Sequence, residues 1–139
     1  MAHVHTVKGP IESLQLGVTL MHEHIFVLSP EINQNYPDSW GDEEYRVEEA
    51  VRRLRELKSG GVDTLVDMTV IGLGRYIPRI QRIGAQVDLN IIVATGLYTF
   101  SQLPPYFHFR RPGIRLPGTD VLEEMFLRDI REGIAETGV

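Results

Sequence analysis

The sequence predicts an α/β protein in which helices cover a parallel β-sheet. Two observations carry this prediction. Hydrophobic patterning divides the chain into the order strand, helix, strand, helix, strand, helix, and the strands are short and apolar. Short apolar strands that alternate with helices are typical of parallel sheets. The chain has 139 residues, which allows one domain and hardly two.

The first segments are a lead-in, a strand and a loop. The lead-in covers residues 1–16, and its Gly9-Pro10 pair predicts a turn or a short hairpin packed ahead of the main fold. The first strand is predicted over Gly17–Phe26, which is rich in β-branched and apolar residues. Residues 29–42 contain two prolines and show no periodicity, so a loop is expected there.

The first helix is predicted over Glu43–Lys58. Acidic residues stand at its start and basic residues at its end, which suits the helix dipole. Gly60-Gly61 is expected to end it, because glycine accepts the left-handed conformation. Its apolar residues recur with the spacing of one buried stripe: Val47, Ala50, Val51, Leu54 and Leu57.

The second half of the chain repeats the alternation. A strand is predicted over Val62–Val70, a short helix around Arg75–Ile83 and a strand over Asn90–Thr95. A long loop with four prolines, Leu97–Gly118, leads to a last helix over about Asp120–Glu136. The expected N-cap and apolar stripe of that helix are Thr119, Leu122, Phe126, Ile130 and Ile134.

Composition excludes several classes of protein. With 14 Lys and Arg against 19 Asp and Glu, the net charge is −5, which excludes an electrostatic nucleic-acid binder. The absence of Cys excludes a disulfide scaffold, a thiolate zinc site and a Cys nucleophile, and it favours a reducing compartment. The N-terminus lacks signal-peptide features and no apolar run approaches the roughly 20 residues of a membrane span. We therefore expect a cytoplasmic protein without a membrane or nucleic-acid partner.

The strongest candidate site is His22-Glu23-His24 near the end of the first predicted strand. Side chains alternate along a strand, so His22 and His24 are expected to share a face with Val18 and Leu20. The carboxyl end of a parallel strand is where α/β barrels place catalytic groups, and imidazole suits Zn, Co, Fe or Ni. The alternative is a pair of hydrogen-bonded histidines that cap the strand without a metal. Spacing alone leaves both interpretations open.

Four segments resemble the phosphotriesterase family, which includes the phosphotriesterase-like lactonases. They are Gly17–His24 (GVTLMHEH), Asn35–Asp42 (NYPDSWGD), Gly61–Arg75 (GVDTLVDMTVIGLGR) and Asn90–Tyr98 (NIIVATGLY). They occur in the family's order, and the resemblance extends from about Thr6 to Val139. It implies a (β/α)8 TIM barrel of the metal-dependent hydrolase type, of which residues 17–139 would supply the first three strand–helix units.

The resemblance also implies a function. Family members hold two divalent metals bridged by a carboxylated lysine and a hydroxide, and His22 and His24 would bind the more buried metal. The hydroxide would attack a phosphorus atom or a lactone carbonyl, so the reaction is hydrolysis of an ester bond. The expected metal is zinc, with cobalt, manganese or iron as alternatives. The expected partner is a small ester or lactone, and a homodimer is one option for the assembly.

The remaining ligands of such a site are expected beyond Val139. The family places its bridging lysine on the fourth strand, two further histidines on the fifth and sixth, and an aspartate on the eighth. The 139-residue chain alone is therefore expected to be inactive. The alternative is a truncated, non-catalytic α/β piece that binds at most one metal weakly. A nucleotide-binding domain is disfavoured because Gly72-Leu-Gly74 lacks a third glycine, with Ile77 at that position.

Tyr98 is the candidate substrate-binding residue. It follows the third predicted strand, and in lactonases a tyrosine at this point borders the metal site; the alternative is simple packing at the strand end. Phe100 stands where some relatives have a second tyrosine, which leaves lactone and phosphotriester both open. His3 and His5 are expected in a disordered tail, and His108 on the surface or in a substrate loop. Lys8 and Lys58 are not expected to replace the bridging lysine.

Other polar residues are expected to have structural roles. Asp63 and Asp67 flank an apolar strand, where hydrogen bonding to backbone or to an arginine is commoner than catalysis. Arg75 is expected at the rim of the pocket. The segment Tyr106–Arg111 mixes aromatic and basic residues as single-strand binders do, but in an acidic chain packing or a substrate or subunit surface is favoured.

Overall fold

The computed structural model describes residues 2–99, 103–108 and 121–139. Its strands are β1 (His3–Thr6), β2 (Gly9–Glu12), β3 (Thr19–Glu23), β4 (Thr64–Asp67) and β5 (Asn90–Val93). Its α-helices are α1 (Pro30–Asn35), α2 (Glu43–Ser59), α3 (Ile77–Gly84), α4 (Pro105–His108) and α5 (Val121–Glu132). Short 3-10 helices occupy Ser13–Gln15, Pro37–Ser39 and Ile134–Glu136.

The main sheet consists of β3, β4 and β5, which are parallel and lie in that order. Thr19 pairs with Thr64, and Thr64 pairs with Asn90, so the three strands begin at the same level. Each strand is shorter than the sequence predicted, but order and direction agree. The predicted α/β class with a parallel sheet is therefore confirmed.

The lead-in forms a hairpin of β1 and β2, as predicted, but it begins earlier than expected. His3 pairs with Glu12 and His5 pairs with Pro10, so the prediction of a disordered histidine tail is wrong. The backbone amide of Val7 donates to the carbonyl of Ile91 at 2.9 Å. This bond attaches the hairpin to β5 and explains why the polar N-terminus is ordered.

Helix α2 agrees with the prediction to within one residue because local signals define both of its ends. The Asp42 carboxylate accepts from the amide of Tyr45 at 2.7 Å and caps the start. At the end, the amide of Val62 donates to the carbonyl of Leu57 at 3.1 Å. Gly61 takes the left-handed conformation, with φ at +96°, that this Schellman closure requires.

The core lies between the sheet and helices α2 and α3. The predicted stripe of α2 is buried except at Leu57, which is half-buried. Burying an aliphatic side chain of this size contributes about 1.5–3 kcal/mol. The buried apolar residues of the core are Val7, Val47, Ala50, Val51, Leu54, Leu65, Ile80, Ile83, Val87, Leu89 and Ile91.

The loop after β3 is held against α3 by Arg79. Its guanidinium donates twice to the Glu43 carboxylate, at 2.6 and 3.1 Å, and lies about 5.4 Å from the ring centroids of Phe26 and Trp40. The Trp40 indole donates to the same carboxylate at 3.0 Å. This cluster fixes the chain that follows the two candidate histidines.

Two predicted segments differ from the structure. The loop predicted over 29–42 contains helix α1, which begins with Ser29 as N-cap and Pro30 as first residue. Helix α5 ends at Glu132 rather than near Glu136, because Gly133 has φ at +86° and the amide of Ile134 turns back to the carbonyl of Val139.

The predicted apolar stripe of α5 is also wrong in part. Ile130 is 73% exposed, whereas Ile134 is buried and lies beyond the helix in a 3-10 turn. The buried residue of α5 is Asp129. The predicted N-cap, Thr119, lies outside the described residues.

Candidate metal centre

His22 and His24 lie at the edge of the sheet where its parallel strands end. His22 is in β3 and His24 is the first residue after Glu23. Their ring centroids are 5.5 Å apart with an interplanar angle of 74°, and both side chains are exposed. The predicted adjacency of the two imidazoles is confirmed. Their role as metal ligands remains a prediction.

The backbone that carries the histidines is not a regular strand. Leu20 pairs with Leu65, but Glu23 pairs with Asp67, so β3 has one residue more than β4 between these pairs. Such bulges interrupt the alternation of side chains and are common beside functional sites. The predicted continuous face from Val18 through His24 therefore does not hold across the bulge.

His24 has a polar neighbour just beyond the end of the next strand, β4. Its Nδ1 lies 3.0 Å from Oγ1 of Thr69, two residues beyond the end of β4. The same hydroxyl donates to the carbonyl of Phe26 at 3.3 Å. One imidazole is thus fixed through its Nδ1, which leaves Nε2 as the nitrogen that can bind a metal.

Asp67 lies directly behind this pair and is 1% exposed. Its Oδ1 accepts from the amide of Thr69 at 2.9 Å, whereas its Oδ2 is buried without a hydrogen-bond partner within the described residues. Burial raises the pKa of this carboxyl, against the lowering effect of hydrogen bonds from Thr69. The predicted bonding of Asp67 to backbone is confirmed.

Asp63 and the two lysines lie at the opposite end of the strands. Asp63 precedes β4 and accepts from Nζ of Lys58 at 2.8 Å and from the amide of Val18 at 3.0 Å. Lys8 donates through Nζ to the carbonyl of Val87, which precedes β5. Asp63 therefore has the structural bonding expected of it, and both lysine side chains are engaged away from the histidines.

Tyr98 lies beyond the end of β5, at the same edge of the sheet as the histidines, and is 50% exposed. Its amide donates to the carbonyl of Ile71 at 2.8 Å. A Cβ at Gly72 would lie 2.9 Å from the Tyr98 carbonyl, so a glycine is required for this close approach. The loops after β4 and β5 are therefore joined. Contact of Tyr98 with substrate remains a prediction.

Arg75, which was predicted at the rim of the pocket, has a buried side chain that pairs with a carboxylate. Its side chain is 7% exposed and its Nη1 lies 3.1 Å from Oδ2 of Asp129, whose side chain is 5% exposed. Oδ2 also accepts from the hydroxyl of Thr95 at 2.5 Å, and Oδ1 accepts from the amide of Ala135 at 3.0 Å. We call Arg75, Thr95, Asp129 and the Ala135 amide the Asp129 cluster.

Asp129 is a buried polar residue that was not among those predicted from the sequence. The available signal was its position: it lies three residues after Phe126 and seven after Leu122, on the stripe that was expected to be apolar. Burial opposes ionisation, but hydrogen bonds from Thr95 and Ala135 and the charge of Arg75 hold the pKa of Asp129 below its ordinary value. A charged residue on a core-facing stripe indicates such a buried partner.

The remaining candidates fall on parts that the structure describes incompletely. His108 is the last residue of α4, and its side chain is not among the described ones. Phe100 and residues 109–111 of the aromatic and basic segment lie outside the described residues. Among the residues that are described, no group of three His, Asp or Glu side chains could hold a metal ion. The candidate pair, His22 and His24, is by itself fewer groups than a closed metal site needs.

Comparison with known proteins identifies the family. The family model described as Phosphotriesterase family matches residues 2–139. The chain belongs to the phosphotriesterase family. A protein of Mycobacterium tuberculosis named phosphotriesterase homology protein is 58% identical over 139 residues, which make up 100% of this chain and 43% of that protein. An aryldialkylphosphatase of Saccharolobus solfataricus is 37% identical over 131 residues, 94% of this chain and 39% of that protein.

A solved structure agrees with this assignment. The structure of the phosphotriesterase from Mycobacterium tuberculosis superposes with a TM-score of 0.93 at 58% identity, covering 99% of this chain and 43% of that one. The phosphotriesterase family has the TIM-barrel metallohydrolase fold and is in general a family of binuclear metal enzymes. The fold predicted from the sequence is confirmed, and the chain spans less than half the length of these relatives. Among the described residues, no helix is long and apolar enough to cross a bilayer.

Proposed function

We propose that the whole protein is a binuclear metal hydrolase of ester bonds, with His22 and His24 as two ligands of its more buried metal. One observation carries the proposal: a phosphotriesterase-family chain has two exposed imidazoles 5.5 Å apart at the carboxyl edge of its parallel sheet. This edge is where barrel enzymes build their active sites. Zinc is the proposed metal, with cobalt, manganese and iron as alternatives.

The donor set fits a divalent metal. Neutral imidazole is a common ligand of zinc and its neighbours in the first transition series, and the Nδ1 contact of His24 with Thr69 leaves its Nε2 available. Bound metals supply a hydroxide nucleophile near neutral pH and polarise the oxygen of the group under attack. The two histidines hold the metal, and the half-exposed Tyr98 ring lies at the same edge, where it would contact the substrate.

The proposed substrates are lactones, organophosphate triesters or both. The name of the Saccharolobus solfataricus relative, aryldialkylphosphatase, supports a phosphotriester. The resemblance of the segment around Tyr98 to the lactonases supports a lactone. Side-by-side turnover of a lactone and a paraoxon-like triester by the whole protein, with each metal in turn, measures the preference.

The 139-residue chain by itself is proposed to lack activity. Its described residues supply two metal ligands, and a hydrolytic site of this family needs several more. The alternative function is that of a truncated, non-catalytic α/β fragment that binds at most one metal weakly. Measurable turnover of a lactone or a paraoxon-like ester by purified, metal-loaded 1–139 would contradict the proposed inactivity.

The ligand assignment is tested by substitution in the whole protein. His22→Ala and His24→Ala should each lose metal and turnover together, whereas His3→Ala, in β1, should keep both. Elemental analysis and steady-state kinetics give the two readouts. Unchanged metal content in both substituted proteins would refute the assignment.

Two further parts of the proposal concern the location of the protein in the cell and its oligomeric state. A cytoplasmic location is favoured by a sequence without Cys, and cell fractionation tests it. A homodimer is proposed for the whole protein, and its mass by light scattering tests that.

A further inference from the structure

The hydroxyl of Thr69 lies close to two polar groups besides its own backbone. Thr69 is 7% exposed. Its Oγ1 is 3.0 Å from Nδ1 of His24 and 3.3 Å from the carbonyl oxygen of Phe26. A carbonyl can only accept a hydrogen bond, whereas a neutral imidazole nitrogen either donates or accepts one.

The direction of these two bonds sets which nitrogen of His24 carries its proton. A threonine hydroxyl has one proton to donate, and the Phe26 carbonyl, 3.3 Å away, can accept it in a hydrogen bond. When the hydroxyl donates to that carbonyl, it accepts from His24, whose Nδ1 then carries the proton. A neutral imidazole with its proton on Nδ1 presents an unprotonated Nε2, the form that binds a metal.

Thr69 is itself fixed in place. Its amide donates to Oδ1 of Asp67 at 2.9 Å, and Asp67 is the buried last residue of β4. The Phe26 carbonyl, which accepts from the Thr69 hydroxyl, is held in place because the Arg79 guanidinium lies over the rings of Phe26 and Trp40. The hydroxyl is thus anchored from both strands before a metal binds.

We propose that Thr69 is a positioning residue that keeps His24 in its Nδ1-protonated form and directs Nε2 toward the metal. The proposal rests on the proposed function, since it assumes that His24 is a ligand. His22 differs: within the described residues it has a ring contact with His24 and no side-chain hydrogen bond. Thr69 therefore sets the position of the ring proton in His24 but not in His22.

Two substitutions in the whole protein test the role of the hydroxyl. Thr69→Val removes the hydroxyl at nearly constant volume, and Thr69→Ser retains it. Zn²⁺ affinity is measured by competition with a chelator. Thr69→Val should weaken binding about 10–100-fold, the usual effect of losing a partner behind a metal ligand, and Thr69→Ser should restore it. Thr19→Val, at the far end of β3, is the matched control and should bind Zn²⁺ as the unsubstituted protein does.

A second readout reports the protonated nitrogen of His24 directly. Nitrogen-15 NMR of the metal-free whole protein should show His24 protonated at Nδ1, and Thr69→Val should mix the two neutral forms. An Nε2-protonated His24 in the unsubstituted protein overturns the proposal, as does unchanged Zn²⁺ affinity in Thr69→Val. His24→Ala distinguishes a failure of the ligand assignment of His24 from a failure of the positioning role of Thr69. If His24→Ala loses Zn²⁺ but Thr69→Val does not, only the role of Thr69 fails; if His24→Ala keeps it, the ligand assignment fails.

Discussion

Two buried carboxylates lie near the same edge of the parallel sheet, and their surroundings are opposite. Asp129 accepts hydrogen bonds from Arg75, Thr95 and the Ala135 amide, so both of its oxygens have partners. Asp67 has a partner on Oδ1, but its Oδ2 has none within the described residues. The first carboxyl has a lowered pKa and the second a raised one.

The difference separates a structural cluster from a candidate site. The Asp129 cluster joins α5 to the loops after β4 and β5, and its charges neutralise one another. Asp67 accepts from the amide of Thr69, and the Thr69 hydroxyl contacts His24, one of the two exposed imidazoles. A buried polar atom without a partner is rare, and it is more often tolerated where function requires it. At the carboxyl end of the sheet, the buried polar groups beside β5 are therefore paired with one another. Those beside β3 include a carboxylate oxygen without a partner within the described residues, next to two exposed imidazoles.

The largest expected effect on stability comes from breaking the Asp129 cluster. Asp129→Ala leaves the Arg75 guanidinium buried without a counter-ion, which should lower the free energy of unfolding of the whole protein by about 3–5 kcal/mol. Chemical denaturation measures this. The control is Glu56→Ala, because Glu56 forms an exposed pair with Arg52 and should change stability by less than about 1 kcal/mol. Equal losses for the two substitutions would contradict a structural role for the Asp129 cluster.

A smaller effect is expected from Thr95. Thr95→Val removes one hydrogen bond to an ionised group and should lower the free energy of unfolding by about 1.5–3 kcal/mol. Thr95→Ser keeps the hydroxyl and should stay near the unsubstituted value. In the Asp129→Ala background the same substitution should have little effect, since the acceptor is gone. Additive losses would show that the two residues do not act together.

The pH dependence of stability should distinguish the two carboxyls by sign. The pKa of Asp129 is lowered, so its contribution is complete above the ordinary value of 3.8 and is lost as pH falls through its folded value. The pKa of Asp67 is raised, so its ionisation opposes folding as pH rises from 3.8 through its folded value. Carbon-13 NMR titration of metal-free protein measures both, and shifts in the same direction would contradict the comparison.

The sequence predicted most accurately those elements whose signals are local. Helix α2 has its periodic stripe, the Asp42 cap and the closure at Gly61 within a few residues of each other. The adjacency of His22 and His24 needed only the geometry of an extended chain. The bulge between them and Leu20 was not predictable, because it depends on pairing with β4, about 45 residues away.

Two of the remaining errors also have distant causes. The order of His3 and His5 depends on the Val7 bond to Ile91. Asp129 contacts Arg75 and Thr95 at separations of 54 and 34 residues; its position on the helix stripe indicates a buried partner but does not identify which residue that is. The early end of α5 has a local cause instead: Gly133 takes a positive φ directly after Glu132 and ends the helix, although the apolar spacing favours its continuation.

The central claim is that His22 and His24, at the carboxyl end of β3, bind a metal. Anomalous X-ray diffraction from crystals of the Zn²⁺-loaded whole protein tests it most directly. We expect a zinc peak within about 2.0–2.1 Å of a ring nitrogen of each histidine, which is Nε2 for His24. Zinc peaks that lie away from both imidazoles would contradict it.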